Sequence, residues 1–121
     1  MAFAGSEELI AEAESRLGRR LPEAHRHRLL RENGGEVSTD DFDWTLFPVW
    51  DGTDRRTVAR TTNHIVRENQ HLYADGWGPA GSIAIADNGE GDLLVIGPDG
   101  DAVMLWNHET GLLSPTQVAW D

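Results

Sequence analysis

The sequence predicts one α+β domain over residues 1–121, with helices mainly in the first part of the chain and an antiparallel sheet in the second. Up to about residue 73, apolar residues recur mostly at helical spacing. After residue 82, three short apolar runs are joined by Asn-Gly and Asp-Gly turns, which is typical of an antiparallel meander. The length of 121 residues suits a single hydrophobic core.

Two helices are predicted at the start of the chain. The first begins after Ser6, whose side chain can cap free N–H groups, and ends at Gly18, a residue that favours the left-handed conformation. The second starts at Leu21-Pro22, because proline suits a first helical turn, and runs to about Glu32. Asn33-Gly34-Gly35 ends it, since glycine readily supplies the positive φ of a tight exit.

The middle of the chain mixes strand and helix signals. Residues 40–50 are rich in aromatic side chains and favour one or two short strands, with Pro48 at an edge or a strand end. A third helix is predicted over about 55–73, followed by a loop at 75–79. The three runs of the meander then follow, at 83–86, 93–96 and 102–106. These runs are almost continuously apolar, so we expect both sheet faces to be covered over part of their length.

The net charge of −11 is unevenly distributed. Up to Gly35, six Glu balance six Arg, whereas fifteen carboxylates face only four Arg from Glu36 onward. An acidic surface repels nucleic acid, because a phosphate backbone needs cations to displace its counterions. The same surface attracts a basic protein, although acidity that simply keeps the protein soluble explains the charge equally well.

Cysteine is absent, which excludes disulfides, thiolate nucleophiles and cysteine-based zinc sites. No apolar run reaches the length of a bilayer span, and the N-terminus lacks the basic and apolar regions of a secretion signal. We therefore expect a cytoplasmic protein without membrane contact.

The acidic segment 87–92 offers two chemical interpretations besides a turn. A calcium loop needs a twelve-residue ligand pattern with a closing Glu, and that position is not met here. Carboxylates for acid–base catalysis need a defined gap across a substrate, which a hairpin tip does not itself supply. A turn needs only Asn88-Gly89 and is favoured, with its acids open to a partner.

The five histidines do not form a recognisable site. His25 and His27 point to different faces of one helix, while His64 and His71 supply at most two of the ligands that zinc requires. His108 could belong to a Ser-His-acid triad, but the sequence has no nucleophile elbow. We expect each histidine to lie at the surface or to cap a helix, and we expect no metal, cofactor or catalytic residue.

The tryptophans are a stronger lead to function. Trp44 and Trp106 lie in strand-like surroundings and are expected in the core. Trp77 lies between two glycines in a loop with Asp75, where a contact role and a simple loop-packing role are equally favoured.

Four sequence features together resemble the SUKH superfamily, in its Knr/Smi-like branch. In chain order they are Leu17-Gly18 with Leu21-Pro22; the helix stop at residues 32–35; Ile83-Ala84-Ile85-Ala86 before the acidic segment 87–92; and Val103 with Trp106-Asn107-His108-Glu109. The resemblance implies a mostly antiparallel sheet of about six strands with helices packed around it. It also implies a non-catalytic protein without a cofactor. Bacterial members of the family are immunity proteins that neutralise a cognate polymorphic toxin, often a nuclease, and fungal members act as signalling scaffolds.

On this basis we predict a cytoplasmic immunity protein, with monomer favoured, that binds a cognate toxin and occludes its active surface. A regulatory or scaffold module of the same fold is the main alternative, and a small hydrolase is a third. The expected contact residues are Asp75, Trp77, Glu90, Asp92 and Glu109. Family members commonly continue after the Val-Ala step, here Val118-Ala119, into a Phe-rich helix, so we also expect a domain without that extension and a sheet edge that could be open.

Overall fold

The sheet follows the chain in strict order, so that every strand pairs with its neighbour in sequence. The computed structural model describes residues 3–40 and 42–120, and in these residues it shows an α+β fold with six antiparallel strands in the order β1 to β6. The strands are β1 Glu36–Ser38, β2 Asp43–Leu46, β3 Ile83–Asp87, β4 Leu93–Ile96, β5 Val103–Trp106 and β6 Leu113–Pro115. The helices are α1 Glu7–Leu17, α2 Glu23–Arg31, α3 Arg55–Arg60 and α4 Ile65–Ala74. The predicted α+β class and the antiparallel meander are confirmed.

The core lies along the middle of the sheet. All residues of β4 are buried, as are the first four of β3, which confirms that both sheet faces are covered there. Trp44 and Trp106 are core residues as predicted. Two of the strands, β1 and β6, lie outside the predicted stretches, and the stretch 40–50 contains only one complete strand, β2.

The two predicted N-terminal helices form with the expected ends. The Ser6 side chain accepts a hydrogen bond from the Leu9 N–H, and Gly18 ends α1 in the left-handed region at φ 78°. Pro22 precedes α2 at its N-cap rather than lying in the first turn. Arg26 joins the two helices, because its buried guanidinium contacts Glu7 over 2.8 Å and Glu14 over 3.2 Å. Some of the arginines and glutamates of this region therefore pair with each other within the protein.

The single helix predicted over 55–73 is wrong, since the chain breaks it into α3 and α4. The Thr61 hydroxyl donates to the Thr57 carbonyl and accepts from the Asp51 N–H, which ties the end of α3 to the preceding segment. A new helix then begins after His64, whose ring accepts a hydrogen bond from the Arg67 N–H. His64 thus caps a helix, as expected. None of the described helices is long and apolar enough to cross a membrane.

Two asparagine side chains, one of them buried, pair with backbone groups of distant segments. The Asn69 side chain donates to the Ala84 carbonyl and accepts from the Ala84 N–H, both over 2.8 Å. It therefore pairs α4 with β3 just where the register with β4 shifts, between Ala84 and Ala86. Asn33 pairs with both backbone groups of Val49 in the same way.

The surface or capping position expected for every histidine is wrong for His25. Its side chain is fully buried, its ring stacks on Trp120 at 5.4 Å, and neither ring nitrogen has a hydrogen-bond partner. Burial lowers the pKa of His25 to about 3, with a further contribution from the Arg28 charge. The C-terminal segment produces this cover: the Ala119 N–H donates to the Ser38 carbonyl, and the Trp120 carbonyl accepts from Arg31.

Candidate functional site

The meander brings two acidic hairpin turns to one end of the sheet. In an antiparallel sheet of sequential strands, alternate turns share an end. The β3–β4 turn, which holds Glu90, therefore lies at the same end as the β5–β6 turn, which holds Glu109. The β4–β5 turn at residues 97–102 lies at the opposite end.

Trp77 packs against this end from the loop after α4. Its indole ring meets Trp106 edge to face, with the centroids 5.6 Å apart, and lies 5.7 Å from the His108 ring. The indole N–H donates to the Gly91 carbonyl over 3.0 Å, and the Trp77 backbone N–H donates to Leu72. The residue nevertheless remains 38% exposed. Trp77 is therefore held by the protein and still presents apolar surface.

Asp92 and His108 form the buried support of this arrangement. One carboxylate oxygen of Asp92 accepts from the His108 backbone N–H over 3.0 Å and lies 2.6 Å from His108 Nδ1. The other oxygen accepts from the Asn88 side chain over 3.2 Å. Burial on its own raises the pKa of Asp92, but the hydrogen bonds from His108 and Asn88 outweigh it and hold the pKa below its ordinary value.

The acidic segment 87–92 is a turn, as favoured from the sequence. The Asn88 side chain accepts from the Glu90 N–H, and Gly89 and Gly91 adopt φ values of 77° and 105°. Space is also tight at Gly91, because a Cβ there would lie 3.1 Å from the His108 ring. The β5–β6 turn is built alike, with Asn107 accepting from the Glu109 and Thr110 N–H groups. Both turns leave a glutamate exposed at their tip.

The structure brings four of the five predicted contact residues to one end of the sheet. Trp77 and Asp92 meet through Gly91 and His108, while Glu90 and Glu109 are exposed on the two adjacent turns. Asp75 is exposed at the end of α4, two residues before Trp77, and none of the described side-chain hydrogen bonds or ion pairs joins it to the others. Asp92 is buried, and its carboxylate turns inward to His108 and Asn88.

The partnership of Asp92 with His108 was not predicted from the sequence. The two apolar runs on either side of the Asp-Gly turn could have indicated it, because in the observed register Leu93 pairs with Trp106. Aligning the two apolar runs across the Asp-Gly turn in that register places residue 92 beside residues 107 and 108. The pairing depends on contacts across the hairpin and not on spacing within one element.

The Asp92–His108 pair resembles the acid and base of a catalytic triad in part only. The second ring nitrogen of His108 lies 4.0 Å from the Glu109 carboxylate, and in the described residues no Ser or Thr hydroxyl hydrogen-bonds to it. Residues 3–40 and 42–120 also hold no group of three or more His, Asp or Glu side chains placed to bind a metal ion. What the arrangement offers chemically is a fixed aromatic surface beside exposed carboxylates.

Comparison with protein families gives one match, to the SMI1 / KNR4 family (SUKH-1), over residues 4–119. Comparisons with curated proteins and with solved structures give no significant match. The family match covers nearly the whole chain and agrees with the resemblance drawn from the four sequence features. The chain belongs to the SMI1 / KNR4 family (SUKH-1).

Proposed function

We propose that this protein is a cytoplasmic immunity protein that binds a cognate toxin, such as a nuclease, and covers its active surface. The contact is made by the Trp77 face, which we define as Trp77 with the exposed carboxylates of Asp75, Glu90 and Glu109. The observation that carries the proposal is the indole of Trp77, which is anchored by Gly91 and Trp106 yet remains partly exposed. Family membership supports a protein partner.

The anchoring of Trp77 favours tight binding. A side chain that is already fixed loses little conformational entropy when a partner covers it. Tryptophan is also among the residues that contribute most at protein interfaces. In this role, Asp92 and His108 act as positioning residues, because they hold the two turns that flank the indole.

The charge around Trp77 favours a basic partner. The turns add Glu90 and Glu109 to a part of the chain in which carboxylates greatly outnumber arginines. By contrast, Arg26 and Arg28 near the start of the chain are buried and occupied by carboxylates and backbone carbonyls. A basic substrate groove of a toxin would therefore be drawn to the Trp77 face and would bind it more weakly at high salt.

The test uses the toxin encoded beside this gene, measured by growth rescue on co-expression and by calorimetry. Trp77→Ala is expected to weaken binding by about 2 kcal/mol, the level of an interface hot spot. The double reversal Glu90→Lys with Glu109→Lys should weaken binding and abolish rescue. Its matched control is Glu36→Lys with Asp99→Lys, which changes the charge equally at two exposed carboxylates, on β1 and in the β4–β5 turn, that lie outside the Trp77 face.

Three results would refute this function. Rescue that survives both Trp77→Ala and the Glu90/Glu109 reversal would exclude the proposed face. If the two double reversals weaken binding equally, the effect depends on net charge and not on the Trp77 face. The absence of a toxin gene beside this one, together with a stable endogenous partner in pull-downs, would favour a scaffold module instead.

A further inference from the structure

The two edges of the sheet differ in how they are protected. At β1, the Glu36 carbonyl accepts from the Arg28 guanidinium over 3.1 Å, and the Ser38 carbonyl accepts from the Ala119 N–H over 2.8 Å. At β6, no strand of the described residues pairs with the outer side. An edge strand with free backbone groups is a template for another strand unless charge, proline or a cover prevents pairing.

The backbone of Leu113 points outward from β6. The Asn107 N–H donates to the Leu112 carbonyl, so the backbone carbonyl of Leu112 points toward the β5 side of the hairpin. Because antiparallel pairs alternate, the next pair, Trp106 with Leu113, is not hydrogen-bonded, and the N–H and C=O of Leu113 face away from β5. Pro115 has the same orientation but no N–H, and the Gly111 N–H is used by the Asn107 carbonyl. Leu113 is thus the single outward donor between 111 and 115.

The edge carries no charge and presents two exposed leucines. Leu112 is 68% exposed and Leu113 is 41% exposed. Residues 110–120 carry no charged side chain, although the chain as a whole has a net charge of −11. Within residues 3–40 and 42–120, β6 is exposed and has no charged side chain to protect it, and Pro115 only limits its length.

We infer that β6 is a self-association edge, where a second copy of this chain pairs antiparallel through Leu113 about a two-fold axis. In this register, each Leu113 N–H donates to the partner's Leu113 carbonyl, which uses the outward donor of both copies. Two copies of so acidic a protein repel each other over most of their surface, and the uncharged edge is where they can approach. A basic partner, by contrast, gains nothing from an uncharged edge.

The dimer that results is weak and concentration-dependent. A stable interface buries about 1,200 Å² or more, and a strand of three residues with two exposed leucines covers less than that. Self-association should also tighten as salt rises, because salt screens the repulsion between like-charged copies. This salt dependence is opposite to that expected for the Trp77 face with a basic toxin, so the two proposals can fail separately.

The test is sedimentation of the purified protein over a range of concentrations and salt. Wild-type protein is expected to form reversible dimers whose dissociation constant falls with salt. Leu113→Asp should raise that constant at least about tenfold, because the two carboxylates face each other across the pair. Leu113→Pro should act similarly, since it removes the outward N–H and leaves the hydrogen bonds to β5 in place. The matched control is Val58→Asp on α3, at a residue of similar exposure, 39%, which should leave the dissociation constant unchanged.

Circular dichroism establishes whether each variant is folded, and amide exchange of the wild-type protein gives a readout that needs no variant. The Leu113 amide should exchange more slowly as protein concentration rises. A wild-type protein that stays monomeric up to its solubility limit overturns the inference. Folded Leu113 variants that dimerise as the wild type does, open-ended oligomers, or a Leu113 amide insensitive to concentration overturn it equally.

Discussion

The indole N–H of Trp77 donates to the carbonyl of Gly91, which fixes a residue of the loop after α4 to the tip of the β3–β4 hairpin. The bond joins parts of the chain fourteen residues apart, and the His108 ring lies against both of its ends. The orientation of the exposed indole therefore depends on the shape of a neighbouring turn. Changes in that turn should affect the Trp77 face without touching Trp77 itself.

Gly91→Ala tests this dependence. Gly91 has φ 105°, and an added Cβ would lie 3.1 Å from the His108 ring, so we expect a loss of about 1–3 kcal/mol in unfolding free energy from backbone strain. Tryptophan fluorescence should change as well, because the Trp77–His108 packing shifts. Gly89→Ala, at φ 77° with nothing within 4 Å, is the control that carries backbone strain alone. Equal fluorescence changes in both variants would contradict a specific clash with His108.

Asp92→Asn should destabilise the protein and reduce its sensitivity to acid. The folded pKa of Asp92 is lowered, so its ionised form stabilises the fold above the unfolded pKa of about 3.9. That contribution is lost as the pH falls through the folded pKa. We expect a cost of about 1–3 kcal/mol at pH 7 and a smaller cost at pH 3, measured by urea unfolding. Exposed Glu90→Gln should change little at either pH, and a cost for Asp92→Asn that is independent of pH would refute the role of the charge.

Asn69→Ala should lower the free energy of unfolding through lost hydrogen bonds rather than lost apolar contacts. The change leaves both backbone groups of Ala84 without their partner in a buried position, which predicts a loss of about 2–4 kcal/mol for the two hydrogen bonds. The measurement is denaturant unfolding, with the exposed neighbour Gln70→Ala as the control. A loss no larger than that of the control would show that solvent can replace the asparagine.

His25→Phe should leave stability at pH 7 nearly unchanged, because His25 makes no hydrogen bond that the phenyl ring would lose and the stacking on Trp120 is kept. Its effect should appear in acid. The unfolded chain takes up a proton near pH 6.5, whereas the folded protein does so only near about 3, so wild-type stability falls as the pH drops through this window. The midpoint of acid unfolding should therefore shift to lower pH in the variant. His27→Phe, on the exposed side of α2, serves as the control, and an identical shift there would refute the burial argument.

Elements determined by local chemistry were predictable from the sequence. Ser6 and Gly18 set the ends of α1 through contacts within a few residues, and the Asn-Gly and Asp-Gly turns fix the central hairpins. The break at Thr61 was not predictable, because it depends on the hydrogen bond from Asp51, which lies outside the helical pattern.

Short edge strands and buried polar groups escaped prediction for related reasons. β1 and β6 have three residues each, too few to show an alternating pattern. His25 is buried because Trp120, from the far end of the chain, covers it. Of the candidate site, Trp77 and the exposed acids of the two turns could be named from sequence, whereas the support from His108 required the strand register.

The contact of Ala119 with Ser38 has a consequence for synthesis on the ribosome. The hairpins of the meander form from residues close in sequence, whereas this contact joins β1 to the far end of the chain. The carbonyl of Ser38 and the ring of His25 acquire their cover only when residues 119 and 120 have left the exit tunnel. Until then, the growing chain leaves that carbonyl at the edge of β1 and the imidazole of His25 without this cover.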